Sequence, residues 1–223
     1  MSRILPRAHE SIRIHEIYRS VQGESSFAGQ PCTFVRTSGC DLRCSWCDTA
    51  EAFEGGRRMA RDEVFNEALS LATPLVELTG GEPLLQPAVL PLMSELCDAG
   101  KTVLLETGGH RDIAPVDPRV HRIVDFKAPG SGEVQNNLWS NVQHLHERDE
   151  LKFVLAHRQD YDWMREVIAE HDLAGLGIPL HASPVHGQLE PKILVEWLLE
   201  DALPVRLGLQ LHKYIWGADA SGV

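Results

Sequence analysis

Two kinds of apolar pattern alternate along this chain. Short runs of mostly consecutive apolar residues, "TFVRTSG", "PLVELTGGEP", "KTVLLETGG", "HRIVDFKAPGSG", "ELKFVLA", "GIPLHASPV" and "VRLGLQLHK", read as strands. Between several of them lie segments whose apolar residues recur at helical spacing: "ARDEVFNEALSLA", "PAVLPLMSELCDAG", "QDYDWMREVIAEH" and "PKILVEWLLEDA". Strands with continuous rather than alternating apolar runs are expected where helices cover a parallel sheet, so the pattern predicts a βα series. No internal repeat, low-complexity tract or long linker interrupts it, and 223 residues suit a single domain spanning 1–223.

Polar residues collect at the ends of these strands. Thr79 to Pro83, Glu106 to Gly109, Asp125 to Lys127, Glu150 with Lys152, Ser183 to His186 and Gln210 to Lys213 form six such groups. In parallel α/β folds ligands sit at the carboxyl ends of strands, so the repetition predicts one face carrying the site. Any single member could equally be a helix cap or turn residue.

Composition narrows the chemistry. The chain is 43% hydrophobic and 24% charged, an ordinary globular balance, and no apolar run nears the ~18 residues of a membrane span. Lys and Arg number 21 against 32 Asp and Glu, a net charge of −11 that repels a phosphate backbone and points to a small substrate rather than nucleic acid. The first twenty residues carry scattered charges and no signal-like apolar core, so a cytoplasmic enzyme with reduced thiols is expected.

Three of the five cysteines, Cys40, Cys44 and Cys47, fall within "CDLRCSWCDT", directly after the first of those strands. Cys32 and Cys97 lie on apolar patterns and read as small buried hydrophobes. Three thiolates can hold three irons of a four-iron, four-sulfur (4Fe-4S) cluster, leaving one iron open for a chelating ligand. A zinc site is the competing reading; it needs a fourth ligand such as Cys32, His110, His181 or His186 and lacks the paired knuckles of zinc ribbons.

The C-x3-C-x2-C spacing, with Trp46 before the last cysteine and "TGGEP" about thirty residues downstream, resembles the radical S-adenosylmethionine superfamily. The resemblance implies that S-adenosylmethionine chelates the open iron and is cleaved by an electron from the cluster, supplied by an external one-electron donor of flavodoxin or ferredoxin type. Within the superfamily, "IYRSVQGESSFAGQPCTFVRTSGCDLRCSWCDT", "VELTGGEPLLQ", "LLETGG", "VDFKAPGSG", "ELKFVLA", "SPVHG" and "LQLHKYIW" resemble the 7-carboxy-7-deazaguanine synthase family over essentially the whole chain. That family converts 6-carboxy-5,6,7,8-tetrahydropterin to 7-carboxy-7-deazaguanine with loss of ammonia, on the route to queuosine. Its implied fold is an incomplete TIM-like (βα) barrel of about six parallel strands with fewer helices than the eightfold form. A homodimer is implied as well, in keeping with the open sheet edge of an incomplete barrel.

Matching motif to motif, the resemblance assigns Cys40, Cys44 and Cys47 to the cluster and Thr49 to a magnesium ion bridging to substrate. It assigns S-adenosylmethionine to Trp46, Cys47, Asp48, Gly81, Glu82, Thr107, Asp125, Phe126, Lys127, Ser183, Pro184, Val185 and His186. The pterin falls to Val21, Gln22, Gly23, Arg36, Thr79, Gln210 and His212. An arginine fork suits the pterin carboxylate, and a lone hydroxyl beside an acid suits magnesium, which takes few protein oxygens. A threonine cap on the turn after Cys47 is the plainer alternative for Thr49. The chain departs from the family pattern at Ser25, where a glycine is usual, at Ser183-Pro184 and at Gln210-Leu211-His212. The run after Lys213 has no readable pattern. A glycyl-radical activase, sharing the cysteines and "TGGEP", and a non-enzymatic metal module are the other classes the motifs admit.

Overall fold

The computed structural model describes residues 10–218, 220 and 222. A nine-stranded sheet runs through it in the order β3-β1-β2-β4-β5-β6-β7-β8-β9. The parallel part comprises β2 (Pro31–Thr37), β4 (Leu75–Gly80), β5 (Thr102–Thr107), β6 (His121–Asp125), β7 (Glu150–Leu155), β8 (Leu180–Pro184) and the two-residue β9 (Arg206–Leu207). Six full strands and one short one match the expected incomplete barrel. Two antiparallel strands, β1 (Ser11–Val21) and β3 (Arg57–Ala60), extend one end beyond what the apolar runs predict.

The strands obey a two-residue period that separates packing from chemistry. On β4, Val76 and Leu78 point outward to join the core beneath α1 (Arg61–Ser70) and α2 (Val89–Asp98). Val103 and Leu105 do the same on β5. A second core lies under α3 (Arg158–Glu170) and α4 (Pro191–Glu200), around Phe126, Phe153, Tyr161 and Leu194. The inner face is apolar at its base, where Cys32, Phe34, Leu75, Leu104 and Ile123 cluster. Two positions further along the same strands stand Glu77, Glu106 and Asp125, so the barrel interior turns polar toward the carboxyl ends.

All four helices predicted from apolar spacing are present. No α-helix joins β5 to β6 or β6 to β7; short 3-10 turns at Pro129–Ser131, Val134–Asn136 and Trp139–His144 occupy the second connection, and Trp139 stacks on Phe126 at 4.6 Å in place of a covering helix. The last predicted strand is mostly something else: after Leu207 the chain leaves the sheet and forms α5 (Leu211–Trp216). It reaches back to the other end of the sheet, where the Leu211 amide donates to the Gly23 carbonyl at 3.0 Å. The side chains of Gln210 and Lys213 find carboxylates there, a long-range pairing that local pattern does not encode. Among the described residues no helix is long and apolar enough to cross a membrane.

Candidate active site

The loop carrying the cysteine trio is fixed by close backbone approach. The Gly81 amide donates to the Thr37 carbonyl at 3.1 Å and the Glu82 amide to the Gly39 carbonyl at 2.8 Å. A Cβ on Gly81 would lie 2.2 Å from the Gly39 oxygen, and one on Gly80, at φ +136°, 2.3 Å from the Thr37 oxygen. Both positions therefore require glycine. Further along the loop, Arg43 donates to the carbonyls of Cys40 and Leu42 and lies over the Phe53 ring at 4.5 Å. Asp41 pairs with His110 at 2.7 Å and with Arg111.

Cys40, Cys44 and Cys47 are free thiols on the wall of one cavity of about 280 Å³. Burial pushes all three thiols up, Cys44 to about 11, while the nearby Lys127 ammonium opposes the shift on each. Among the described residues no three His, Cys, Asp or Glu side chains converge on a single point. Three thiols on one wall, with Cys32 and Cys97 elsewhere, match the three-thiolate donor set that leaves one iron of a 4Fe-4S cluster open. Cys32 is fully buried in the base of the barrel and Cys97 lies at the edge of an outer core, both away from this wall.

Beside the trio, Glu82 is 1% exposed. Its carboxylate accepts from the Thr107 hydroxyl at 3.0 Å, the Gly108 amide at 2.8 Å and the Leu84 amide at 3.0 Å, tying the end of β4 to the end of β5. Thr107, Gly81, Trp46, Asp125, Lys127, Val185 and His186 line the same cavity. Lys127 pairs with Asp125 at 2.8 Å, and although burial opposes the charged form, this partner raises the Lys127 pKa on balance. The side chains of Phe126, Ser183 and Pro184 are not brought there: Phe126 is in the core against Trp139, and Ser183 and Pro184 are buried in β8.

The other half of the cavity holds the residues expected at the pterin. Val21, Gln22, Gly23, Arg36, Thr79, Gln210 and His212 all line it. Arg36 donates Nε to Glu16 at 2.9 Å and a terminal nitrogen to the Tyr18 hydroxyl at 3.1 Å, which aims the guanidinium along the cavity wall. Ser25 adopts φ +58° without being glycine, and its Oγ accepts from the Phe27 amide at 3.2 Å, so the turn keeps a left-handed residue.

Of the charged floor of this half, sequence reasoning brought Glu106 and Lys152 to the site face and missed Glu24 and Glu77. Glu24, Glu77 and Glu106 surround Lys152, with Gln22 donating to Glu77. Burial raises the pKa of Glu77 well above the usual carboxylate range and that of Glu106 to about 7, Lys152 opposing both. Burial acts on Glu24 too, but its ion pair with Lys152 and hydrogen bonds from Lys152 and Gln210 outweigh it and lower its pKa. A usable signal was the parity of "LVELTG", which puts Glu77 on the same strand face as Thr79.

Thr49 sits at the N-cap position of the 3-10 turn Ala50–Phe53 yet makes no side-chain capping bond. Its hydroxyl donates to Asp48 Oδ1 at 3.2 Å, which leaves its lone pairs for another partner. Asp48 Oδ2 accepts from Gln210 at 3.0 Å and Lys213 at 2.9 Å.

The chain matches the Radical SAM superfamily model over residues 34–171. It is 51% identical to the 7-carboxy-7-deazaguanine synthase of Chlorobaculum tepidum, covering 95% of this chain and 97% of the relative. It is 46% identical to the synthase of the same name from Koribacter versatilis, over 95% and 100% of the two chains. In structure it is similar to QueE from Escherichia coli, with a TM-score of 0.72 at 22% identity, covering 90% of this chain and 94% of that one.

Proposed function

The chain belongs to the 7-carboxy-7-deazaguanine synthase family of radical S-adenosylmethionine enzymes, and from that premise we propose that it converts 6-carboxy-5,6,7,8-tetrahydropterin to 7-carboxy-7-deazaguanine with loss of ammonia. Residues 1–223 act as one radical S-adenosylmethionine domain. The observation that carries this reading is the shared cavity: the cysteine trio lines one part of it, while Arg36 and the Glu24, Glu106 and Lys152 group line another.

Cys40, Cys44 and Cys47 would hold the cluster, which when bound would supply the single electron that cleaves S-adenosylmethionine, with a flavodoxin- or ferredoxin-type donor as its source. The GGE turn, Thr107, Asp125, Lys127, Val185 and His186 border the volume for S-adenosylmethionine, where polar backbone and paired charges orient its aminoacyl end. Arg36 presents its fork to the pterin carboxylate, and the Glu24, Glu106 and Lys152 floor offers acceptors and a donor to the heterocycle's N–H and carbonyl edge. Thr49 would offer magnesium one hydroxyl, which suits an ion that takes few protein oxygens. Magnesium bound there would supply charge stabilisation and help orient the pterin. Two chains associate as a homodimer, checked by mass in solution across a wide concentration range.

Anaerobic reconstitution with iron and sulfide, followed by assay of 5′-deoxyadenosine with and without the pterin, tests the reading. Release that rises with the pterin supports a synthase. Release indifferent to it, or a reconstituted protein that never cleaves S-adenosylmethionine, contradicts it.

A further inference from the structure

The segment after β9 forms a wall of the cavity: Gln210, His212, Lys213, Ala218, Ala220 and Gly222 all line it. Yet α5 buries no residue of its own, and its outer side chains Tyr214, Ile215 and Trp216 are 92%, 54% and 42% exposed. A six-residue helix with so little packing is not held by an apolar face. What holds it is polar. The Leu211 amide reaches the Gly23 carbonyl, Gln210 bridges Glu24 and Asp48, and Lys213 pairs with Asp48. Asp48 thus stands where the cysteine loop meets this wall, and its two oxygens have different partners: Oδ1 accepts from Thr49, Oδ2 from Gln210 and Lys213.

We infer that Asp48 is a positioning residue that latches the C-terminal wall of the pterin pocket to the cysteine loop through Oδ2 while orienting the Thr49 hydroxyl through Oδ1. The inference rests on the functional reading above for what fills the pocket, but the latch itself is a property of the polypeptide. With its proton given to Asp48, the Thr49 oxygen keeps its lone pairs for a cation, the arrangement by which an outer partner orients a metal ligand. With Gln210 and Lys213 engaged at the other oxygen, the pocket wall and the magnesium site share one carboxylate. Closing the wall and setting the hydroxyl are then separate tasks of its two oxygens.

The test uses the full chain and the variants Lys213→Met, Lys213→Arg, Asp48→Ala and the Asp48→Ala/Lys213→Met pair. In cluster-free protein without substrate, amide hydrogen exchange over residues 210–218 is expected to quicken about tenfold in Lys213→Met and Asp48→Ala, to be no faster in the pair, and to return toward wild type in Lys213→Arg. In reconstituted enzyme the pterin KM is expected to rise about tenfold in Lys213→Met, with kcat changing less than about threefold and the magnesium response intact. Asp48→Ala should show the same rise in KM and in addition a weakened magnesium response. Unchanged exchange in both single variants overturns the latch, as does an additive effect in the pair. A magnesium response equal in Asp48→Ala and Lys213→Met overturns the division of labour between the two oxygens. Wild-type enzyme that makes no deazaguanine would refute the functional reading alone, because the exchange data still decide the latch.

Discussion

The two walls of the cavity are built from different forces. The cysteine-bearing wall is locked by backbone: Gly80 and Gly81 let β2 and β4 ends approach to a distance no side chain permits, and Glu82 collects three donors in a buried site. The C-terminal wall is locked by side chains at the surface, with a short helix whose outer face is in water. Cluster assembly needs a scaffold that does not move, whereas substrate exchange needs a part that can, and low local stability is the physical form of that freedom. The same cavity therefore has a fixed half and a yielding half.

The largest break in the fixed half is loss of a thiol. Cys44→Ala is expected to abolish the broad iron–sulfur absorption after reconstitution and all product, while Cys32→Ala and Cys97→Ala retain both. A cluster surviving in Cys44→Ala would remove that residue from the ligand set.

Glycine substitutions compare the walls directly. Gly81→Ala forces its Cβ against the Gly39 backbone oxygen and is expected to destabilise the protein by about 3 kcal/mol and reduce iron loading. At Gly217 an added Cβ meets nothing within 4 Å, and only the backbone, at φ +96° and ψ 163°, resists a side chain, so Gly217→Ala should cost about 1–3 kcal/mol, confined to the local segment. Denaturant melts and exchange over 210–218 would separate global from local loss, and equal melts for the two variants would erase the contrast.

The floor beneath both walls is open to a pH test. Glu106 faces Lys152, Glu24, Glu77, Asp125 and Asp48, and burial raises its pKa from 4.5 to about 7. A folded-state pKa above the unfolded one means that the native state binds more protons between those values, so this contribution is complete below about pH 4.5 and is lost as pH rises through about 7. It amounts to roughly 3 kcal/mol. The melting temperature of ligand-free protein should therefore fall more steeply from pH 5 to pH 7.5 than that of Glu106→Gln. Parallel curves would show that Glu106 does not titrate in this window.

The smallest expected effect lies in the substrate turn. Ser25 occupies φ +58°, so Ser25→Gly should relieve left-handed strain and stabilise the chain by about 0.5–1 kcal/mol, offset in part by the lost hydroxyl bond to Phe27. A destabilised glycine variant would show that the hydroxyl matters more than the backbone angle.

Legibility in the sequence followed the same division. The strands β2 and β4 to β8 were readable because burial on both faces leaves continuous apolar runs, and the cysteine loop and GGE turn because their chemistry tolerates few residue types. β1 escaped notice: Ile12 and Ile14 are fully buried, but His15, Glu16 and Arg19 break the run, as befits an antiparallel strand with one polar face. The first three residues of α5 were read as strand and the rest had no readable pattern, because its anchors, Gly23, Glu24 and Asp48, lie far away in sequence. Glu24 and Glu77 drew no attention because a carboxylate in or beside a strand acquires meaning only when the barrel brings Lys152 opposite. Motif matching placed Phe126 in the site, yet its ring packs in the outer core against Trp139; a motif records position along the chain and not the direction a side chain takes.

The proposed division of labour is that the fixed wall generates a radical that the yielding wall holds over one pterin. It is tested most directly by mass spectrometry of the products from reconstituted enzyme given S-adenosylmethionine, magnesium, a one-electron reductant and 6-carboxy-5,6,7,8-tetrahydropterin. 7-Carboxy-7-deazaguanine and ammonia are expected in equal amounts, both absent when S-adenosylmethionine or reductant is withheld. Cleavage of S-adenosylmethionine by a fully loaded cluster with the pterin recovered unchanged would contradict it.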